Sequence, residues 1–378
     1  MAESPLPVDT NQQAPGSQPL AFFLIYLVAG LGWWAMHWGG IYLLAAPLAI
    51  TFIAVPGADL LVGIDARNPG QAKPGSLTTA AFRLATWCAV PAQAAILLWG
   101  VGTASRPATS PLEQVGLAVA VGVAGGSIGI TVAHELIHRS SRFERLLGEL
   151  LLIMVCYHHW ATEHVAGHHQ RVATREDPAT ARLGESLPAF MARSVVYSFV
   201  SAWRIETARQ TRRGNQALRN NAILAGMLAS CALAAALGAC YGARAIVFFL
   251  VQSAVAIGFL ETINYIEHYG LERRKIGPSN YERVSPVHSW NSSYKLTNLL
   301  LFNLQRHSDH HMWPARPYYM LRHHPQSPQL PLGYAGMALL AMCPPLFRRV
   351  MDPRVEAYRA QLANEQIGSA NSERSGAR

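Results

Sequence analysis

Six stretches of this 378-residue chain stay apolar for close to the length that an α-helix needs to cross a bilayer, about 20 residues. They lie at 20–36, 39–62, 82–102, 112–133, 222–240 and 243–263. In lipid a backbone must satisfy its own hydrogen bonds, so segments of this kind span as helices. The expected fold is an all-α membrane protein with six transmembrane helices. Charged residues make up only 14% of the chain, against about 25% in soluble proteins, which agrees with that reading.

The charges that remain are unevenly placed. The formal net charge is +9. With the N-terminus on the cytoplasmic side, the segments 63–81, 134–221 and 264–378 are cytoplasmic. These segments, with their edges, hold 29 of the 31 lysines and arginines, leaving Arg106 and Arg244. This is the positive-inside bias, and it accounts for the basic charge without nucleic acid. Residues 1–19 are polar, proline-rich and free of lysine and arginine, so they lack the basic start of a signal peptide. They read as a disordered tail, and 358–378 as a polar C-terminal tail, disordered from about Glu365. A single membrane domain is expected over 20–357. Cys88, Cys156, Cys231, Cys240 and Cys343 form no C-x-x-C pair, which excludes a disulfide framework or an iron–sulfur site.

The chemistry is carried by histidine. Four clusters read His134-Glu135-Leu136-Ile137-His138, Glu163-His164-Val165-Ala166-Gly167-His168-His169, Asn264-Tyr265-Ile266-Glu267-His268 and Gln305-Arg306-His307-Ser308-Asp309-His310-His311. The fourth and sixth spans both end on the cytoplasmic side, and the other clusters lie in cytoplasmic segments, so all four meet at one membrane face. Residues i and i+4 share a helical face. His134 and His138 therefore pair, as do His164 and His168, and His307 and His311. Together the clusters hold nine of fifteen histidines. Imidazole suits Fe, Zn, Cu and Ni, and nine donors exceed what one ion takes, so two metals are implied. A metal transporter would instead carry such residues inside its spans.

H-E-x-x-H at 134–138 also spells the zinc-protease signature, but that reading leaves seven histidines unexplained. Glu135, Glu163, Glu267 and Asp309 each adjoin a histidine. Neighbours on a helix do not share a face, so these acids are expected to accept the second N–H of a ligating imidazole rather than to chelate. His158, His159 and His288 are weaker candidates of the same kind. His37, His323 and His324 read as surface or interface residues.

The four clusters resemble those of the membrane alkane 1-monooxygenases, in HELIHR, EHVAGHH, NYIEHYGL and LQRHSDHH. VATREDPATARLGES at 172–186, RVSPVHSWNS at 283–292, QLPLGYAGM at 329–337 and RRVMDPRV at 348–355 extend the likeness over roughly 20–357. The resemblance implies a bacterial inner-membrane enzyme with both termini and a di-iron site on the cytoplasmic side. It implies two Fe ions held by His134, His138, His164, His168, His169, His268, His307, His310 and His311. It implies O2 and two electrons from a rubredoxin, here a separate protein, turning a terminal methyl group of an n-alkane into a primary alcohol. Arg171, Arg175, Arg306 and Arg322 would steer such an acidic donor. Arg139 and Met312 depart from the residues common in the family.

An alkane offers no polar handle, so an apolar channel open to membrane lipid must select it. In the family, the bulk of a residue about five positions before the proline of a P-x-x-D motif varies. That motif is Pro56-Gly57-Ala58-Asp59 here and points to Thr51. A small Thr51 leaves the channel deep and favours medium- to long-chain alkanes. The rival readings are a xylene-type aryl-methyl monooxygenase and a fatty-acid desaturase, whose usual H-x-x-H-H boxes differ from H-x-x-x-H-H here.

Overall fold

The computed structural model describes residues 18–70, 74–216, 218, 220–278 and 280–376, with side chains described to Glu365. The tail expected over 1–19 lies almost wholly outside the described residues. Among the described residues, six helices are long and apolar enough to cross a membrane: Pro19–Met36, Tyr42–Val62, Ser76–Ala104, Pro111–Ile137, Ala222–Tyr241 and Ala243–His268. All six coincide with the expected stretches. The third starts six residues before the expected Phe82, because the helix already begins at Ser76, in a stretch of mixed residues that includes Ser76, Thr78 and Thr79. The fourth and sixth run past the expected apolar ends to carry His134 and His268 themselves.

Burial ranks the spans. In the fourth, 78% of the best apolar window is inside the protein, whereas in the second only 6% is, so the fourth is the central helix and the second faces outward. The fourth packs on the sixth through glycine. A Cβ on Gly122 would lie 2.5 Å from Val255 Cβ, and one on Gly126 would lie 2.9 Å from Phe259 Cβ. Small residues allow such close approach between membrane helices, where dispersion rather than water drives association. A π-helical turn at Gly125–Ile130 then rotates the last turns of the fourth span before His134.

Polar elements beyond the spans complete one end of the molecule. Helix Leu187–Arg212 lies against the sixth span, burying Phe190 beside Tyr265. The final helix, Pro344–Gly376, grips the end of the sixth span. Tyr269 Oη donates to Asp352 at 2.6 Å, and Arg359 donates to Gly270 O at 2.6 Å. Gly270 has φ +69°, and a Cβ there would meet Val355 at 2.8 Å, so glycine is required where the chain turns away after His268. This helix continues to Gly376, through the stretch expected as a disordered tail. Its Ala, Gln and Glu content favours helix once Phe347, Met351 and Val355 are docked.

Candidate metal centre

The fourth span brings His134 and His138 to its end, and the sixth brings His268. Short helices supply the rest. His164, His168 and His169 follow Trp160, whose ring stacks on His164 with centroids 4.4 Å apart. His307, His310 and His311 lie on helix His307–Met312, which the loops around it hold. Asn291 Oδ1 accepts from Ser308 N at 2.8 Å, and its Nδ2 donates to Ser308 Oγ at 2.7 Å. Arg306, just before this helix, is buried and donates to the carbonyls of Leu321, Asp65 and Arg67. Burial holds its guanidinium down to about 10. It is a tie between loops, and so is not free for the steering expected of it. Arg171 is likewise engaged, by Glu163 and Ser201, whereas Arg175 is exposed.

All nine expected histidines converge, in two groups. His134, His138, His164, His169 and His310 offer ring nitrogens within 4.8 Å of one another, and so do His168, His268, His307 and His311. The second and fourth clusters are shared between the groups. The expectation that His164 and His168 act as a pair fails here. A π-helical turn spans His164–His168, and His169 N–H reaches His164 O, five residues back. The face shared at i+4 in an α-helix is therefore shared at i+5. His164 Nε2 meets His169 Nε2 at 3.1 Å, and His168 turns to the other group.

The Nε2 atoms crowd together. His310 and His169 stand 3.0 Å apart at these atoms, His307 and His268 3.1 Å, and His311 and His307 2.9 Å. Nε2 of His134, His138 and His168 is buried without a hydrogen-bond partner. Orphaned buried nitrogens are costly, and two sets aimed at common points fit a pair of bound ions. Burial also keeps these rings neutral, as ligation requires: His138 is pushed down to about 3, and His164, His169, His307, His310 and His311 well below the ordinary value.

The acids fall into different places. Glu135 accepts from Arg139 and from Tyr318 N. Glu163 accepts from Arg171 at 2.6 Å, and its burial holds the carboxyl up to about 7. Asp309 accepts from Arg316 at 2.5 Å and meets His324 at 2.7 Å. None of these three shows a hydrogen bond to one of the nine rings. Glu267 meets His307 at 3.2 Å, on the converging Nε2. The carboxylate that orients a ligating ring from behind is one the sequence did not single out. Asp177 meets His168 Nδ1 at 2.8 Å and accepts from Thr180 at 2.6 Å, wholly buried. Burial raises its carboxyl, but His168 and Thr180 outweigh this and hold it below the usual range. It lies in the stretch VATREDPATARLGES, where a D-x-x-T pattern could have suggested an internally bonded carboxylate.

The other histidines stand apart from both groups. His288 bonds Ser285 and Glu282, and His323 bonds Ser293. His158 approaches Glu149 at 3.9 Å, His159 packs on Tyr157 and Phe199, and His37 is exposed.

One cavity reaches the site, and a second shares a wall with it. The first is lined by His134, His164, Glu267 and His307 with apolar neighbours. The other is almost wholly apolar, lies among the spans and is lined by Thr51, Ile25, Val28 and Ile128, among others. They share Phe259, Ile263 and Leu301 as a common wall.

Comparison with known proteins accords with this arrangement. A family model described as fatty acid desaturase matches residues 112–337. Alkane 1-monooxygenase 2 of Pseudomonas aeruginosa is 42% identical over 89% of this chain and 92% of its own length. Alkane 1-monooxygenase 1 of the same organism is 44% identical over 82% of this chain and 84% of its own length. The hydroxylase component of a xylene/toluene monooxygenase from Pseudomonas putida is 26% identical over 71% of this chain. The chain belongs to the fatty acid desaturase family in the broad sense and, within it, to the alkane 1-monooxygenases.

Proposed function

We propose that this protein hydroxylates the terminal carbon of medium- to long-chain n-alkanes to primary alcohols, using O2, with residues 20–357 as one catalytic unit. The observation that carries this reading is that the cavity reaching both groups of neutral imidazoles shares the wall of Phe259, Ile263 and Leu301 with an apolar cavity among the spans. The nine histidines are proposed to hold two iron ions. Bound there, iron would supply the oxygen-activating chemistry that side chains lack.

The chain's own residues do the rest. Neutral Nε2 donors hold the ions without competing protons. Asp177 fixes the ring of His168. The apolar wall takes up the alkane from lipid, and Phe259, Ile263 and Leu301 lie where its end would pass toward the histidines. Thr51 lines the cavity and is proposed to leave room for a long chain.

Electrons are proposed to come from a separate rubredoxin. A hollow lined by the exposed Arg175, Arg182 and Arg204 lies over Asp177, which supports an acidic donor on this side. The same basic bias supports an inner-membrane orientation with this face and both termini in the cytoplasm.

The test is to supply membranes holding the protein with a rubredoxin system, O2 and, in turn, octane, hexadecane and an aromatic methyl substrate. The expected products are 1-octanol and 1-hexadecanol. Oxidation of the aromatic methyl group alone would favour the xylene-type activity of the more distant relative. Turnover should fall as salt rises, and salt-independent turnover would remove the steering role.

A further inference from the structure

The two cavities differ in size as well as in lining. The outer one, among the spans, has a volume of about 110 Å³, and the inner one, which touches His134, His164 and His307, about 20 Å³. One water needs roughly 10–15 Å³ of such space. The inner cavity therefore takes the end of a chain, not a length of it. Phe259, Ile263 and Leu301 line both cavities. Phe259 and Ile263 stand one turn apart on one face of the sixth span, and Glu267 continues that face in the inner cavity. At 1.5 Å per residue, the stripe from Phe259 to Glu267 is about 12 Å long. It runs from the wall between the cavities to the histidines, since Glu267 meets His307.

Phe259 is the bulkiest of the three shared residues and the only ring among them. It meets Phe52 edge-on, with centroids 6.2 Å apart. It also lies against Gly126, where a Cβ would come within 2.9 Å of Phe259 Cβ and 3.0 Å of its Cδ1. Both neighbours belong to π-helical turns, Ile50–Ala54 of the second span and Gly125–Ile130 of the fourth. Such turns collect at functional sites. The turn in the fourth span divides the cavities: Gly126 and Ile130 line the inner one, Ser127 and Ile128 the outer one. Phe259 thus stands at the boundary, packed against two local departures from α winding.

We infer that Phe259 determines which carbon is hydroxylated: its ring narrows the passage between the cavities, so that the methyl end of an alkane reaches the histidine groups and the next methylene does not. This rests on the proposed terminal hydroxylation. That reaction places one oxygen atom of O2 in a C–H bond and releases the other as water, with two electrons from the donor and two protons from water. A methylene C–H bond is weaker than a methyl C–H bond, so an unrestrained chain reacts at its internal carbons first. Terminal attack needs a steric bar near the histidines, because an alkane offers only its shape for discrimination. A flat ring between a larger apolar cavity and a small inner one supplies that bar. Thr51 lines the outer cavity alone, so the two residues have separate effects. Thr51 bears on how long a chain fits, and Phe259 on which carbon is presented.

The experiment supplies the whole chain in membranes with a rubredoxin system, O2 and octane, and compares the unaltered protein with F259A and F259L. Iron content and the ratio of 2-octanol to 1-octanol are measured on each preparation. The unaltered protein should give 1-octanol almost alone. F259A should raise the ratio at least ~10-fold with iron content unchanged, the scale on which one apolar contact discriminates. A ring that only fills space between helices would lower the yield of both alcohols together, so an unchanged ratio in F259A overturns the proposal. Should F259A not fold, the milder F259L decides. A rise of at least about threefold supports the role, as part of the same contact is lost, and a level ratio overturns it. Absence of any octanol from the unaltered, iron-loaded protein would instead overturn the proposed hydroxylation itself, whatever Phe259 does.

Discussion

The two histidine groups are built from the same clusters yet supported differently. The first takes His134 and His138 from the end of the central span and His164, His169 and His310 from short helices. Every donor in it is an imidazole. The second has four imidazoles, with Asp177 behind His168 and Glu267 beside His307. Helix His307–Met312 feeds both groups, and so does the turn at His164–His168. One rigid pair of short elements thus sets both sites at once, while carboxylate support is given to only one. The first group depends on the geometry of a helix end, the second on charge as well.

The largest expected effect breaks each group in turn. His138→Ala should empty the first site and His268→Ala the second. Each should leave about one ion per chain and lower alkane turnover by more than ~100-fold, since a lost ligand should cost more than a lost ligand partner. Iron analysis and product yield on the same preparation check this. Loss of both ions from either variant would show that the groups assemble as one unit. The next effect is confined to one side. Asp177→Asn keeps the shape but weakens the acceptor behind His168, and should cost about 10–100-fold in metal affinity or activity. A chelator titration should show one weakened site of two, and an equal loss at both would contradict the asymmetry.

These effects also mark what the sequence made legible. The six spans were readable because bilayer length imposes a run of apolar residues that no other constraint obscures. The nine histidines were readable because spacing and residue type are both unusual. Their division was not, because it turns on a local change from α to π winding at His164–His168 that no residue there announces. Asp177 escaped for a different reason: its contact with His168 depends on how the chain folds back after Val172, and Asp-Pro in a loop has many bland uses. Arg306 looked available by its charge, and only the fold shows three backbone carbonyls closing around it.

The cavity among the spans was legible only in outline, and a third, smaller effect sharpens its contrast with the histidine region. Thr51→Trp fills volume in the cavity that Ile25 and Val28 also line, and no histidine lines that cavity. It should leave iron content unchanged and shift the preference between octane and hexadecane by about tenfold toward the shorter chain, within the range that one apolar contact gives. An unchanged chain-length profile would remove Thr51 from the channel.

The smallest effect concerns acid. In the unfolded chain a histidine titrates near 6.5, whereas burial pushes His138 down to about 3 and several neighbours the same way. Between those values the unfolded chain binds protons that the folded chain excludes, so stability rises with pH there. The contribution of these rings is present in full above about 6.5, declines as pH falls and is gone below about 3 for His138. The metal-free protein should therefore melt several degrees lower at about pH 5 than at about pH 7.5. His138→Phe should flatten that dependence by removing one buried ring that must stay neutral. A melting temperature of the metal-free protein that is level across this range would mean that the rings take up protons in place, and that burial does not hold them neutral.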